Sequence, residues 1–176
     1  MTRTQLEHII RAASAITGEA DIVIVGSQSI LGSFADAPEA LLASREADVF
    51  PLAAPEAADL IDGCIGELSP FDQTFGYYAH GVGPETSVLP TGWQDRLVPL
   101  QNVNTGSGTG LCLEPHDLAV AKLIAGRPKD LDFIETLLSA ELVQADVIES
   151  RLNDIPKDPR LPLAKDRLTL LVKSEN

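Results

Sequence analysis

Cysteine, aromatic residues and positive charge are scarce in this chain, and long apolar runs are absent. The two cysteines, Cys64 and Cys112, stand far apart and form no Cys-x-x-Cys pair. Two such residues exclude a cysteine zinc site on number and leave no disulfide framework, so they read as buried thiols of a cytoplasmic protein. Lys and Arg number 13 against 26 Asp and Glu, for a formal net charge of -13. A broad surface for gripping nucleic acid needs cations in number, so that class is excluded, although a local basic patch is not. The single tryptophan, Trp93, reads as a core or lid anchor rather than a platform for stacking bases. No apolar run approaches the roughly 18 residues that span a bilayer. The N-terminus also lacks the basic start, apolar stretch and small-residue cleavage site of a secretory signal. No membrane partner is expected.

What the chain does have is a real core: 176 residues at 44% hydrophobic suffice for one compact domain. The pattern changes near residue 113, giving an α/β core over 1–113 and a helical segment over 114–176 packed on it. Thr4-x-x-Glu7 has the form of a capping box, followed by Leu6, Ile9, Ile10, Ala13 and Ile16 at helical spacing. The run Asp21 to Val25 is continuously apolar after its first residue, the mark of a strand covered on both faces. A turn at Gly26-Ser27 and a helix follow, then a short helix over Pro38 to Ala43 and a strand over Arg45 to Leu52. Pro55 to Glu67 reads as a helix whose Asp62 and Glu67 face solvent. Thr74 to Val82, Thr86 to Leu89 and Arg96 to Val103 read as strands. The Gly-rich stretch Asn104 to Gly110 lacks the lysine and hydroxyl ending of a phosphate loop and leads into the strand Leu111 to Leu113, so it reads as a flexible hairpin loop. Helices over Pro115 to Ala125, Pro128 to Leu138, Glu141 to Asn153 and Pro159 to Val172 complete the chain, the last capped by Asp158. The fold class is α+β: a small mixed sheet flanked by helices, with a C-terminal helical bundle.

Three places carry candidate chemistry. On the strand after the Gly-Ser turn, Glu46 and Asp48 share one face, with Cα atoms roughly 6.5 to 7 Å apart. Such a pair can converge on a divalent cation, and it can equally be a solvated strand edge. At the turn itself, the backbone N–H groups of Ser27 and Gln28 would lie free for an anion. A plain strand-to-helix turn that needs glycine is the other reading. Lys122, Arg127 and Lys129, with Asp130 and Asp132 close behind, concentrate charge at a helix corner. This is either a basic rim for a triphosphate or a set of surface ion pairs. His80, on an apolar strand, reads as structural rather than as a base or ligand.

The order strand, Gly26-Ser27, helix, strand with Glu46-x-Asp48 resembles the active-site signature of the DNA polymerase β-type nucleotidyltransferase superfamily. The run from Leu118 through Lys122 and Arg127 to Asp132 is similar to the helix pair of toxin-type members of the abortive-infection class. The resemblance covers about residues 20 to 140. It implies a nucleotidyltransferase-like core that binds an NTP, with Gly26, Ser27, Gln28 and Arg127 holding the nucleotide. It also implies Glu46 and Asp48 as ligands of Mg²⁺ or Mn²⁺, and Lys122 and Asp130 as the later basic and acidic motif. The implied partners are a tRNA, protein or small-molecule acceptor and a cognate antitoxin. A third metal carboxylate is not evident on the strand after Asp48; Glu85 is the nearest candidate and Asp95 a weaker one.

Overall fold

In a computed structural model that describes residues 1–174, the run Ile22, Val23, Ile24 is fully buried. It forms β1 (Asp21–Ile24), the middle strand of a five-stranded sheet. On one side β1 pairs antiparallel with β2 (Glu46–Pro51), which pairs parallel with β3 (Tyr78–Gly81). On the other it pairs parallel with β5 (Thr109–Cys112), which pairs antiparallel with β4 (Val98–Leu100). The order is thus β3-β2-β1-β5-β4. A strand with a neighbour on each edge and helices over its faces has no wet side, which is why β1 is apolar throughout after the exposed Asp21 at its start.

Ahead of the sheet, α1 (Arg3–Thr17) lays Leu6, Ile9, Ile10 and Ala13 into the core. Its capping box is Thr2 with Gln5, two residues before the expected one: Thr2 Oγ1 accepts from Gln5 N, and Gln5 Oε1 accepts from Thr2 N. Glu7 is thereby released for a different task. It is buried and accepts hydrogen bonds from the side chains of Asn102 and Asn104, each at 2.7 Å. This fastens the Gly-rich connection of the β4–β5 hairpin onto α1. The glycines there answer to close approach, since a Cβ on Gly108 or Gly110 would come within 2.9 Å of Ser14 or 2.4 Å of Ile10.

Between the strands lie α2 (Ile30–Ser33), α3 (Ala58–Ile65) and α4 (Pro70–Phe75). After the sheet come α5 (Pro115–Ala125), α6 (Pro128–Ser139), α7 (Ala145–Asn153) and α8 (Leu161–Ser174). One hydrophobic cluster joins Leu6, Ile24 and Val49 of the first part to Leu118, Ile134 and Ile148 of the last helices. Each such side chain, fully buried, stabilises the fold by roughly 2 kcal/mol. A smaller cluster of Val23, Val25, Phe50, Ala58 and Val82 is separate from it.

The structure corrects several expectations. The stretch read as a strand from Thr74 is α4 up to Phe75, capped by Ser69 with Pro70 in its first turn and closed by left-handed Gly76; only Tyr78–Gly81 is strand. Thr86 to Leu89 is not a strand, and one 3-10 turn, Pro84–Thr86, begins it. The helix after the Gly-Ser turn is split into a 3-10 turn, Ser27–Ser29, and the four-residue α2. Pro38 to Ala43 reduces to the 3-10 helix Glu39–Leu42. Asp62 does more than face water, because its Oδ1 accepts the N–H of Gly81 at 3.3 Å. Cys64 is exposed, and only Cys112 is buried, where burial pushes its thiol up to about 12.

Candidate functional site

At the end of β1, the N–H of Val25 donates to the carbonyl of Asp48 at 3.1 Å, so pairing with β2 runs to the last residue before the turn. Gly26 follows in an extended conformation that any residue adopts (φ -82°, ψ -169°). Its requirement is room: a Cβ there would sit 2.0 Å from Asp48 Oδ2. The Gly-Ser turn and the second acid of the pair are therefore in direct contact. Ser27 opens a 3-10 turn and accepts a hydrogen bond on Oγ from Lys122 Nζ at 2.9 Å.

Along β2 the alternation places Ala47 and Val49 in the core and leaves Glu46 and Asp48 half-buried on the opposite face. The parallel register with β3 sets Tyr78 beside Glu46 and His80 beside Asp48. Tyr78 donates its hydroxyl to Glu46 Oε2 at 2.9 Å. His80 Nδ1 lies 3.1 Å from Asp48 Oδ1. One donor atom from each of Glu46, Asp48 and His80 lies within 4.8 Å of the others. Burial pushes the Asp48 carboxyl above the usual carboxylate range and the Glu46 charge pushes it further, with His80 and Lys122 pulling the other way. Burial and the bond to Glu46 push the Tyr78 phenol up to about 12.

Facing this wall stand α5 and α6. Lys122 is nearly buried and holds Asp130 Oδ1 at 3.2 Å in addition to Ser27, with Nζ 4.2 Å from the centre of the Phe133 ring. Asp130 is fully buried and also accepts from Arg127 Nε at 2.6 Å and Nη2 at 3.1 Å. Burial lowers the Lys122 ammonium from its ordinary value, against the pull of Asp130. For Asp130 burial acts upward, but the hydrogen bonds from Arg127 and Lys122 outweigh it and hold the carboxyl below the ordinary value. Between the walls is a cleft of about 700 Å³, to which Gly26, Ser27, Glu46, Asp48, Lys122 and Arg127 all contribute.

The expected site residues thus fall into three groups. Those six share the cleft, and Asp130 lies behind Lys122. Glu85 lines the cleft but folds its carboxylate over Gly83, where a Cβ would meet Oε1 at 2.1 Å, and it is no part of the Glu46, Asp48 and His80 group. Gln28 is fully buried and outside the cleft lining, with neither side-chain amide atom bonded among the described residues. Its backbone alone remains at the turn. Asp95 is exposed and also outside the lining. His80, read from sequence as structural, is half-exposed on the cleft face beside Asp48, because its side chain follows the in-register Asp48 rather than the core. Arg160, just ahead of α8, lines the cleft too. The signal available for Arg160 was its place beside the Asp158 cap, which says nothing about which face of the molecule it meets.

Among known families, the model of a nucleotidyltransferase of unknown function (DUF6036) matches residues 4–161. No curated protein and no solved structure matches the chain.

Proposed function

The chain belongs to this family of nucleotidyltransferases, and from that premise we propose that it moves a nucleoside monophosphate from an NTP to a hydroxyl acceptor, with Mg²⁺ or Mn²⁺ required. In that reaction the acceptor hydroxyl gives up its proton to solvent and its oxygen bonds to the α-phosphorus as the bond to the oxygen bridging to the β-phosphate breaks, and pyrophosphate leaves. The observation that carries the reading is the opposition of two charges across one cleft: the converging acids Glu46 and Asp48 on β2 against Lys122 on α5.

The donor set fits a divalent ion. One donor atom from each of Glu46, Asp48 and His80 lies within 4.8 Å of the others, so a small closing movement of the side chains would bring them onto one centre with bonds of about 2.0 to 2.5 Å. Glu46 and Asp48 would hold it, and when bound it supplies neutralisation of phosphate charge and polarisation at phosphorus. The other contributions come from the chain itself. Lys122, positioned by Asp130 and Ser27, offers a point charge to the triphosphate. Arg127, Lys129 and Arg160 line the same cleft. Gly26 lets the backbone come close, so that the amides at Ser27 and Gln28 face phosphate oxygens.

The test is transfer of label from each α-labelled NTP, with Mg²⁺ or Mn²⁺, to tRNA, to protein and to small hydroxyl compounds. Transfer that disappears in both Glu46→Ala and Asp48→Ala supports the assignment; transfer that persists in both rules it out. Growth arrest on expression, relieved by a neighbouring gene product, would extend the reading to the toxin-like half of a toxin–antitoxin pair.

A second reading has its own observation: the third member of the donor group is an imidazole, not a carboxylate. On that reading the cleft binds nucleotide, or serves a protein partner, without transfer. Metal-dependent NTP binding with no labelled product favours it.

A further inference from the structure

We propose that His80 is the third ligand of the cation site, and that the resulting set of two carboxylates and one imidazole makes the cleft select a first-row transition ion over Mg²⁺. The inference rests on the reading that Glu46 and Asp48 hold a divalent ion, and it specifies which class of ion.

Register is the first ground. In the parallel pair β2–β3, His80 is the direct partner of Asp48, so both side chains leave the sheet on the cleft side. His80 has no apolar packing role that would explain it there; it is half-exposed, and among the described residues its side chain's hydrogen-bond partner is Asp48. Nitrogen and oxygen donors 3.1 Å apart subtend roughly 90° at an ion bonded at about 2.1 Å, the angle between neighbouring positions of an octahedron.

The second ground is that the other nearby acids are engaged elsewhere. Glu85 lies back over Gly83, and Asp62 accepts the backbone N–H of Gly81. The imidazole therefore has no carboxylate competitor for the third position among the described residues. Tyr78, two residues before His80 on the same face of β3, is committed to Glu46 and orients that carboxylate as an outer partner does for a metal-bound acid.

Ligand chemistry supplies the selectivity. Mg²⁺ is a hard ion that takes oxygen donors and gives up water reluctantly, so exchanging an oxygen for a nitrogen gains it little. Ions along the series from Mn²⁺ through Co²⁺ and Ni²⁺ bind nitrogen with rising affinity. A carboxylate at position 80 would narrow the difference; the histidine widens it.

The experiment uses the whole chain, freed of metal by a chelator, with Mn²⁺ and Co²⁺ as probes. Mn²⁺ binding is followed by electron paramagnetic resonance, and Mg²⁺ is titrated in as competitor. Expected are a directly bonded ¹⁴N signal in the pulsed spectrum of bound Mn²⁺, absent in His80→Ala, and a d–d absorption of bound Co²⁺ that changes in the same variant. His80→Asp, at a half-exposed position and with Tm checked against the parent, is expected to keep Mn²⁺ binding while the preference over Mg²⁺ falls by about tenfold or more. Bound Mn²⁺ without nitrogen coupling, or an unchanged preference in His80→Asp, overturns the role of His80 while leaving the acid pair standing. Mn²⁺ binding that survives both Glu46→Ala and Asp48→Ala, or no Mn²⁺ binding at all, overturns the cation site and the inference with it. Labelled transfer is scored separately, so failure of the enzymatic reading and failure of this ligand set are told apart.

Discussion

The two walls of the cleft handle buried charge in opposite ways. On the helical wall, Asp130 is fully buried yet closed upon itself: Arg127 and Lys122 satisfy it, and its carboxyl is held low. On the sheet wall, Asp48 is less buried and yet held high, because burial and Glu46 act on it without an Arg or Lys in contact. Both are aspartates within reach of Lys122, so residue type does not explain the contrast. Completeness of partnering does. A finished network holds its own side chains in place, whereas an acid pair left short of positive charge is where the proposed cation would bind.

The contrast can be broken in four ways. Asp48→Ala carries the largest expected effect: labelled transfer falls by at least about a thousandfold, or about 4 kcal/mol in the barrier, while urea denaturation shows no loss of stability. Asp130→Ala also removes the partner that positions Lys122, and it adds a folding cost that Asp48→Ala lacks. It strands the Lys122 ammonium in a nearly dry position and is expected to cost about 3 kcal/mol of folding stability, read from the same urea curves. An equal fold and a lost activity for Asp130→Ala would erase the distinction between the walls.

Gly26→Ala comes third. The added methyl meets the Asp48 carboxylate and is expected to cost about 2 kcal/mol; in the double variant with Asp48→Ala most of that cost vanishes, a coupling that a double-mutant cycle measures. Smallest is the pH effect. The carboxyl of Asp48 has its folded value raised, so its burial weighs against the fold above that value, and the weight is relieved as pH falls through it. Asp48→Asn is therefore expected to raise Tm at pH 7, with the gain shrinking on acidification and gone below about pH 3.9, the ordinary value for an aspartate. Asp130 has the opposite sign. Its folded value is lowered, so the stability it adds is present at neutral pH, begins to fall near the ordinary value and is lost as pH drops through the folded one.

Much of this was legible in the sequence because it is local. The central strand announced itself by an unbroken apolar run, the acid pair by period-two spacing, and Lys122, Arg127 and Asp130 by falling within a few residues of one another. His80 was not legible. Nothing near it in sequence points to the acids, and its place beside Asp48 follows from the register of β2 against β3, whose partners lie 32 residues apart. The helix α4 was misread for a different reason: its aromatic residues outweighed the Ser69-Pro70 start and Gly76 stop, which were the better signal. Phe71 and Phe75 pack there against His8 of α1, one tilted and one edge-on, a tertiary use that strand propensity mimics. Glu85 was proposed for want of a third acid, and the local chain turns it back over Gly83 instead.

The near-contact between residue 26 and the second acid of β2 has a bearing on descent as well as on folding. A hydrogen at one position and a carboxylate at the other occupy a single small volume, so the first cannot gain a side chain while the second keeps its carboxylate in place. Across kindred chains the two sites should behave as one inherited character: where 26 acquires a side chain, 48 should have shrunk. A chain with alanine at the first and aspartate at the second would have to turn that carboxylate out of its present place or shift the turn away from it.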